Sequence, residues 1–249
     1  MSAHPQDFVR ASFEITHDTT PPQHLIAGFS SFGLAGLTAV DYLVKQLDLD
    51  VHGHISADAL PAITPFEAGT PRHHTRIYGR DDLEVSVLQN ELFVPPWAAD
   101  ALSEAVLSWT DDSGIEEVSV LSGVPIPHGP DDHRTYYVAS EDYRAARLDD
   151  ASLPGMGAGF LEGVNAALVG RGMESSLRVG VLITPVHAQA PDVEAAIRLV
   201  ETAAELYDLT VDTGELAAFA EEVKQYYAEL AARFERAEGE GRLEDQMFM

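Results

Sequence analysis

The chain contains no cysteine. That excludes disulfides, thiolate catalysis and cysteine-held zinc or iron–sulfur centres. Lysine is nearly absent too. Lys45 and Lys224 are the only two among 15 basic residues, against 41 Asp+Glu, for a formal net charge of -26. A surface of that sign repels phosphate backbones and anionic headgroups, which argues against nucleic-acid and membrane partners. No apolar run reaches the roughly 18–20 residues of a membrane span. The opening "MSAHPQDFVRASFEI" has no apolar core of signal-peptide length, so a cytoplasmic location is expected. A concentrated acidic block is also missing, the acids being spread from Asp7 to Asp245. Such a surface suits a salt-rich cytoplasm, where the Debye length falls to about 3 Å near 1 M and self-repulsion is relieved. The expectation is a halophilic source and a protein that loosens or dissociates in low salt.

What is present is an ordinary globular composition, 45% hydrophobic and 8% aromatic over 249 residues, enough to bury a full core. "HLIAGFS" (24–30) reads as a buried strand, followed by a helix from about Gly33 to Leu47 with Leu34, Leu37, Val40, Leu43 and Val44 at helical spacing. "VHGHIS" (51–56) reads as a short strand, and "HTRIYG" (74–79) with "LEVSVLQ" (83–89) as a hairpin. The Pro pair at 95–96 opens a helix through Trp97, Leu102, Val106 and Trp109, which stops in "TDDSG". "EEVSVLSGVPI" is a strand ending at Gly123, and "TYYVAS" (135–140) is another. A glycine-rich stretch becomes a helix near Phe160, "LRVGVLITPV" (177–186) is an apolar strand, and 191–209 is a helix with Pro in its first turn. Strands alternating with helices predict an α/β domain with a mainly parallel central sheet. It is expected to span 1–212, ahead of a helix over 213–238 and a flexible tail over 239–249.

Three candidate chemistries can be weighed on their residues. "IAGFSSFGLAGLTAV" has the glycine spacing of a phosphate loop, but the positions that need Lys and Ser/Thr hold Leu34 and Ala35. Gly28, Gly33 and Gly36 therefore read as structural glycines that let a helix start close against a strand. The ten histidines suggest a metal: His52 and His54 in "HGH", His73 beside His74, and His128, Asp131, Asp132 and His133 in "HGPDDH". None of these spacings matches a helical two-histidine zinc motif, and no metal or cofactor is expected. The serines of "GFSSFG" and "LSG" sit in no nucleophile elbow, so no catalytic residue is assigned.

The C-terminal segment carries more. Leu216, Phe219, Val223, Tyr226, Leu230 and Phe234 step by three and four with Tyr227 alongside, while Glu221, Glu222, Lys224 and Glu229 fall on the other face. A helix of roughly 24 residues, near 36 Å long, would either pack on its own domain or join copies together. Beyond it "AEGEGRLEDQ" turns polar and the chain closes on Met247, Phe248 and Met249. A tethered aromatic with a free carboxylate can serve as a docking peptide, the ring filling a pocket and the carboxylate meeting a lysine.

Taken together, "GFSSFGLAGLTAVDYLVKQL", "GHISADALPAITPFEAGTPRHHTRIY", "VLSGVP", "GFLEGVNAALV" and "APDVEAAIRLVETAAELYDLTVDTGEL" resemble the archaeal branch of the proteasome assembly chaperone 2 family, over about residues 22–235. The resemblance rests on the order and spacing of all five. It implies a three-layer α/β/α sandwich similar in fold to nucleoside phosphorylases, with a C-terminal helical extension and a homo-oligomeric assembly. It also implies a partner, the α-subunits of the proteasome core particle, entered by a C-terminal hydrophobic–tyrosine–any-residue motif. Met247-Phe248-Met249 fits that motif with Phe in place of Tyr. The lost hydroxyl removes a hydrogen bond worth roughly 0.5–1.5 kcal/mol, a factor of a few to about tenfold in affinity. The expected function is a non-enzymatic assembly chaperone or core-binding adaptor. The alternatives are a small-molecule enzyme with a polar pocket near Ser30, Ser31 and Ser122, and an oligomer unconnected to the proteasome.

Overall fold

The computed structural model describes residues 10–127, 129, 132–149, 151–187, 191–218 and 220. The chain divides into two units, Met1–Val211 and Asp212–Met249.

The first unit is built on an eight-stranded sheet. In chain order its strands are β1 (Ser12–His17), β2 (His24–Phe29), β3 (Asp50–Asp58), β6 (Thr75–Gly79), β7 (Val85–Asn90), β8 (Glu117–Val124), β9 (Tyr136–Ala139) and β10 (Arg178–Pro185). The two-residue strands β4 (Phe66–Glu67) and β5 (Thr70–Pro71) form a separate small hairpin. The order across the sheet is β1-β3-β6-β7-β2-β8-β10-β9. β7, β2, β8 and β10 run parallel in the middle, and β1, β3, β6 and β9 are antiparallel to their neighbours. The sheet is therefore mixed, which corrects the mainly parallel sheet expected from strand–helix alternation. The physical reason is local. The β6–β7 hairpin reverses the chain without a helix, and β3 and β1 extend that reversal outward. β1, "SFEITH", was not anticipated, because its alternation gives only two half-buried apolar residues, Phe13 and Ile15, on an edge strand.

The central strands are buried along nearly their whole lengths, as strands covered on both faces must be. One cover is α1 (Ala35–Gln46) with α5 (Val193–Leu206); the other is α2 (Pro96–Ser113) with α4 (Gly163–Gly172). Period-2 alternation sorts the core between them. Leu25, Ala27 and Phe29 join Val118, Val120, Val179 and Val181 in a cluster with Ala99, Leu102, Val106 and Trp109 of α2 and Leu168 of α4. Gly28 points the other way, toward Val40 of α1. Between β9 and α4 lies a turn, α3 (Glu141–Tyr143), that continues as a π-helical turn through Arg144–Leu148.

Helix boundaries follow local chemistry. α2 starts with Pro96 in its first turn and stops at Gly114, whose N–H returns to the Thr110 carbonyl. α5 is capped by Asp192, whose carboxylate accepts from the Ala195 N–H at 3.0 Å. α4 begins at Gly163, not near Phe160, because Glu162 is still extended. In the second unit, residues 214–218 and 220 are helical, and Leu216 is buried. Phe219, Val223, Tyr226, Tyr227, Leu230 and Phe234 lie outside the described residues, as do Met247, Phe248 and Met249.

Candidate functional site

The carboxyl ends of the four parallel strands open onto two adjoining clefts of about 650 and 560 Å³. Ligands of open α/β sheets favour this edge, because loops diverge where the strands end. The turn after β2 is held by its neighbour: the Ser30 N–H donates to the Asn90 carbonyl at 3.1 Å and its hydroxyl to the Glu91 carbonyl at 3.1 Å. Asn90 is 1% exposed, and its amide oxygen accepts from the Thr75 hydroxyl and the Leu92 N–H, both at 2.9 Å. At the end of β8 the Ser122 hydroxyl accepts from the Asn165 amide of α4 at 2.8 Å. Ser31, Phe32, Glu162 and Asn165 line both clefts, and the Ser31 hydroxyl is buried with no hydrogen-bond partner among the described residues.

The three glycines of the opening loop lie at this edge. A Cβ on Gly28 would stand 2.4 Å from the Gly36 carbonyl oxygen, and one on Gly36 would stand 2.0 Å from the Leu121 carbonyl oxygen. The α1 backbone thus rests directly on β2 and β8. Gly33 turns the chain into the helix at φ 63°, a left-handed conformation that suits glycine. Leu34 and Ala35 stand where a phosphate loop would place its Lys and Ser/Thr, and Ala35 is fully buried.

The chemistry of the clefts is sparse. Among the described residues that line them, Glu162 is the one that carries a charge, and none is His, Lys, Arg or Tyr. The Ser30 and Ser122 hydroxyls are committed to backbone carbonyls and to Asn165. Along the clefts, apolar side chains stay in water: Phe32, Leu34, Phe93 and Phe160.

The described histidines are placed elsewhere. The His54 and His73 rings stack with centroids 3.6 Å apart. Burial, then the neighbouring His54 and Arg76 charges, lower the His73 pKa. The Thr75 hydroxyl gives its proton to Asn90, so His74 Nδ1 donates to it at 2.8 Å, and burial lowers the His74 pKa as well. His133 lies edge-on to His187, while His128 and Asp131 lie outside the described residues. Among the described residues no group of three or more His, Cys, Asp or Glu could hold a metal ion, and no helix is long and apolar enough to cross a membrane.

Two buried polar networks escaped the sequence reading. Arg76, 3% exposed, donates to Glu91 at 2.9 Å and Gln89 at 2.8 Å, and Gln89 continues to Asp41 of α1 at 2.9 Å. At the amino ends of the strands Glu117, fully buried, accepts from Arg147 at 2.9 Å, Arg178 at 3.2 Å and the Tyr207 hydroxyl at 2.8 Å. Ser119 bridges Tyr207 and Tyr143, and burial pushes the Tyr143 hydroxyl up to about 12. The available signal was a charge inside an apolar strand: Glu117 in "EEVSVL" and Arg76 in "HTRIYG".

Comparison with known proteins places this geometry. A family model described as the PAC2 family matches residues 25–231. An uncharacterized protein of Methanocaldococcus jannaschii is 22% identical over 235 residues, covering 90% of this chain and 92% of its own. Among solved structures, Pyrococcus furiosus PbaA, described as an archaeal homolog of proteasome-assembly chaperone, superposes with a TM-score of 0.82 at 21% identity, covering 96% of this chain and 100% of that one. Pyrococcus furiosus PbaB, described as an archaeal proteasome activator, gives 0.75 at 17% identity over 88% of this chain and 99% of that one.

Proposed function

The chain belongs to the PAC2 family, and on that premise we propose that it is a non-enzymatic, homo-oligomeric assembly chaperone or core-binding adaptor of the proteasome. The observation that carries the reading is likeness along almost the full length to PbaA and PbaB, a proteasome-assembly chaperone homolog and a proteasome activator. The apolar, nearly uncharged clefts at the strand ends support a surface that binds protein. A small-molecule enzyme on a phosphorylase-like sandwich would need converging free polar groups at Ser30, Ser31 and Ser122, and two of those three hydroxyls are already engaged.

In this reading residues 1–212 form the α/β domain and 213–238 an oligomerisation helix through Leu216, Phe219, Val223, Tyr226, Tyr227, Leu230 and Phe234. The segment 239–249 tethers Met247, Phe248 and Met249, which enter a pocket on the core-particle α-subunits. One tripeptide binds weakly, and tethered copies raise the effective concentration to about the mM range.

The test is a pull-down in molar salt with the full chain beside a version ending at Gln246, against extract of a halophile. We expect core-particle α-subunits with the full chain and their loss with the shortened one. Equal capture by both, or by neither, would remove the Met-Phe-Met segment from the mechanism.

A further inference from the structure

Between β3 and β6 the chain leaves the large sheet as an arm, residues 59–74, that carries the β4–β5 hairpin. Its outer part lies in water. Of residues 59–71 only Leu60 and Pro65 are half-buried, and Ile63 and Phe66 are 40% and 73% exposed. Pro61, Pro65 and Pro71 remove backbone donors along it. Local bonds give it shape. Ala68 and Gly69 take positive φ of 47° and 79°, as a tight two-residue hairpin loop requires. The Arg72 N–H donates to the Pro65 carbonyl at 2.9 Å, and the Arg72 guanidinium pairs with Glu67. At the root of the arm Ala59 is left-handed at φ 64°, a strained conformation for a residue with a Cβ.

Among the described residues, the hydrogen bonds from arm to sheet come from its foot, residues 72–74. The Glu91 N–H donates to the His74 carbonyl at 2.8 Å, the Arg72 guanidinium donates to Glu91 at 3.4 Å, and Arg76 of β6 donates to the His73 carbonyl. One contact crosses back to the strand that the arm left. The His73 ring lies on His54 of β3, centroids 3.6 Å apart and planes 12° from parallel. His54 precedes the arm and His73 closes it, so the stack ties the two ends together. Two imidazoles stack at this distance while one is neutral, but two imidazolium rings repel. Arg76 adds a third charge, standing opposite His54 in the β3–β6 register. Glu14 of β1 sits diagonal to His54, across the Thr16–His54 pair. Glu91, whose charge favours a proton on His74, is shared by Arg72 and Arg76. Burial, then His54 and Arg76, lower the His73 pKa; burial, then His73 and Arg76, lower that of His74. The closed arm thus binds protons less tightly than an opened one. It is at full strength above the ordinary histidine value of 6.5 and weakens as pH falls below it.

We propose that the His54–His73 stack is a pH-sensitive latch: it holds the arm of residues 59–74 to β3 while at least one ring is neutral, and it opens when both rings carry a proton. Opening frees the segment with Ile63 and Phe66 from its fixed place at the sheet and lets Ala59 leave its left-handed conformation. The latch shares no residue with the lining of the strand-end clefts or with the C-terminal segment. It therefore stands whether or not the chain engages the proteasome.

Hydrogen exchange of the full chain, read by mass spectrometry at about pH 7.5 and about pH 5, brackets the histidine range and tests the latch. Salt is held fixed, and rates are corrected for the intrinsic effect of pH. The reporter is the foot with β6, residues 72–78, and the control is β10 (Arg178–Pro185). We expect protection of the wild-type foot to fall by about fivefold or more in acid, the effect of two unit charges at this separation in water, while β10 keeps its protection. His73→Phe keeps a ring on His54 that takes no proton, so its foot should stay protected at both pH values. His73→Lys is charged at both and should be unprotected at both. His73 is exposed, so either replacement leaves the core untouched, and a thermal melt at neutral pH checks the fold. A wild type that ignores acid, an acid response that survives in His73→Phe, a His73→Lys foot as protected as the wild type at neutral pH, or an equal loss in β10 would each overturn the proposal.

Discussion

Glu117 shows what a single residue does in this fold. It is a carboxylate with no exposure, held by two guanidinium groups and a tyrosine hydroxyl. A buried charge is tolerable only when its lone pairs are met, and here Arg147, Arg178 and Tyr207 meet them. Arg147 also donates to the Leu206 carbonyl at 3.1 Å, so the same group ties the π-helical turn to the end of α5. Removing the carboxylate strands two cations that are only partly exposed. Glu117→Ala is expected to lower the unfolding free energy by about 3 kcal/mol, readable by urea titration. An unchanged midpoint would show the network to be dispensable. Sequence reasoning set such acids aside, because a chain with 41 of them makes any one look like surface. Only its position in a strand buried on both faces distinguishes Glu117 from the rest.

At the scale of elements, the contact of α1 with β2 and β8 rests on glycine. Gly36 sits so close to the Leu121 carbonyl that an added Cβ would stand 2.0 Å from the oxygen, which is backbone and has nowhere to turn. Gly36→Ala should push the helix off the sheet and cost about 1–3 kcal/mol. Gly170→Ala in α4 is the contrast, since a Cβ there meets nothing within 4 Å. It should stabilise by roughly 0.5–1 kcal/mol through helix propensity alone. Opposite shifts of the two urea midpoints are the expected outcome; shifts of the same sign would refute the packing account. Most elements were legible in advance, because burial on both faces writes β2, β7, β8 and β10 as apolar runs and amphipathic periodicity writes α1, α2 and α5. Edge strand β1 and the start of α4 were not, the first for want of apolar residues and the second because a loop rich in glycine and apolar residues looks like a helix start.

For the whole molecule, the formal charge of -26 leads to a prediction about salt. We expect circular dichroism and sedimentation to show a looser or smaller particle in dilute buffer than in molar NaCl, because unscreened carboxylates repel across the entire surface. A particle that keeps its fold and assembly in dilute buffer would count against a halophilic design. By itself the sequence determined the charge, the alternating class of the fold and the family, since composition and period survive without coordinates. It also shows Leu34 and Ala35 where a phosphate loop would carry Lys and Ser/Thr. Tertiary structure alone decided that the sheet is mixed, that Glu117 and Arg76 are buried, and that Phe32, Phe93 and Phe160 line adjoining clefts. The reason is distance along the chain. Pairing direction and surface patches join residues dozens of positions apart, and local propensity carries no record of which distant segments meet.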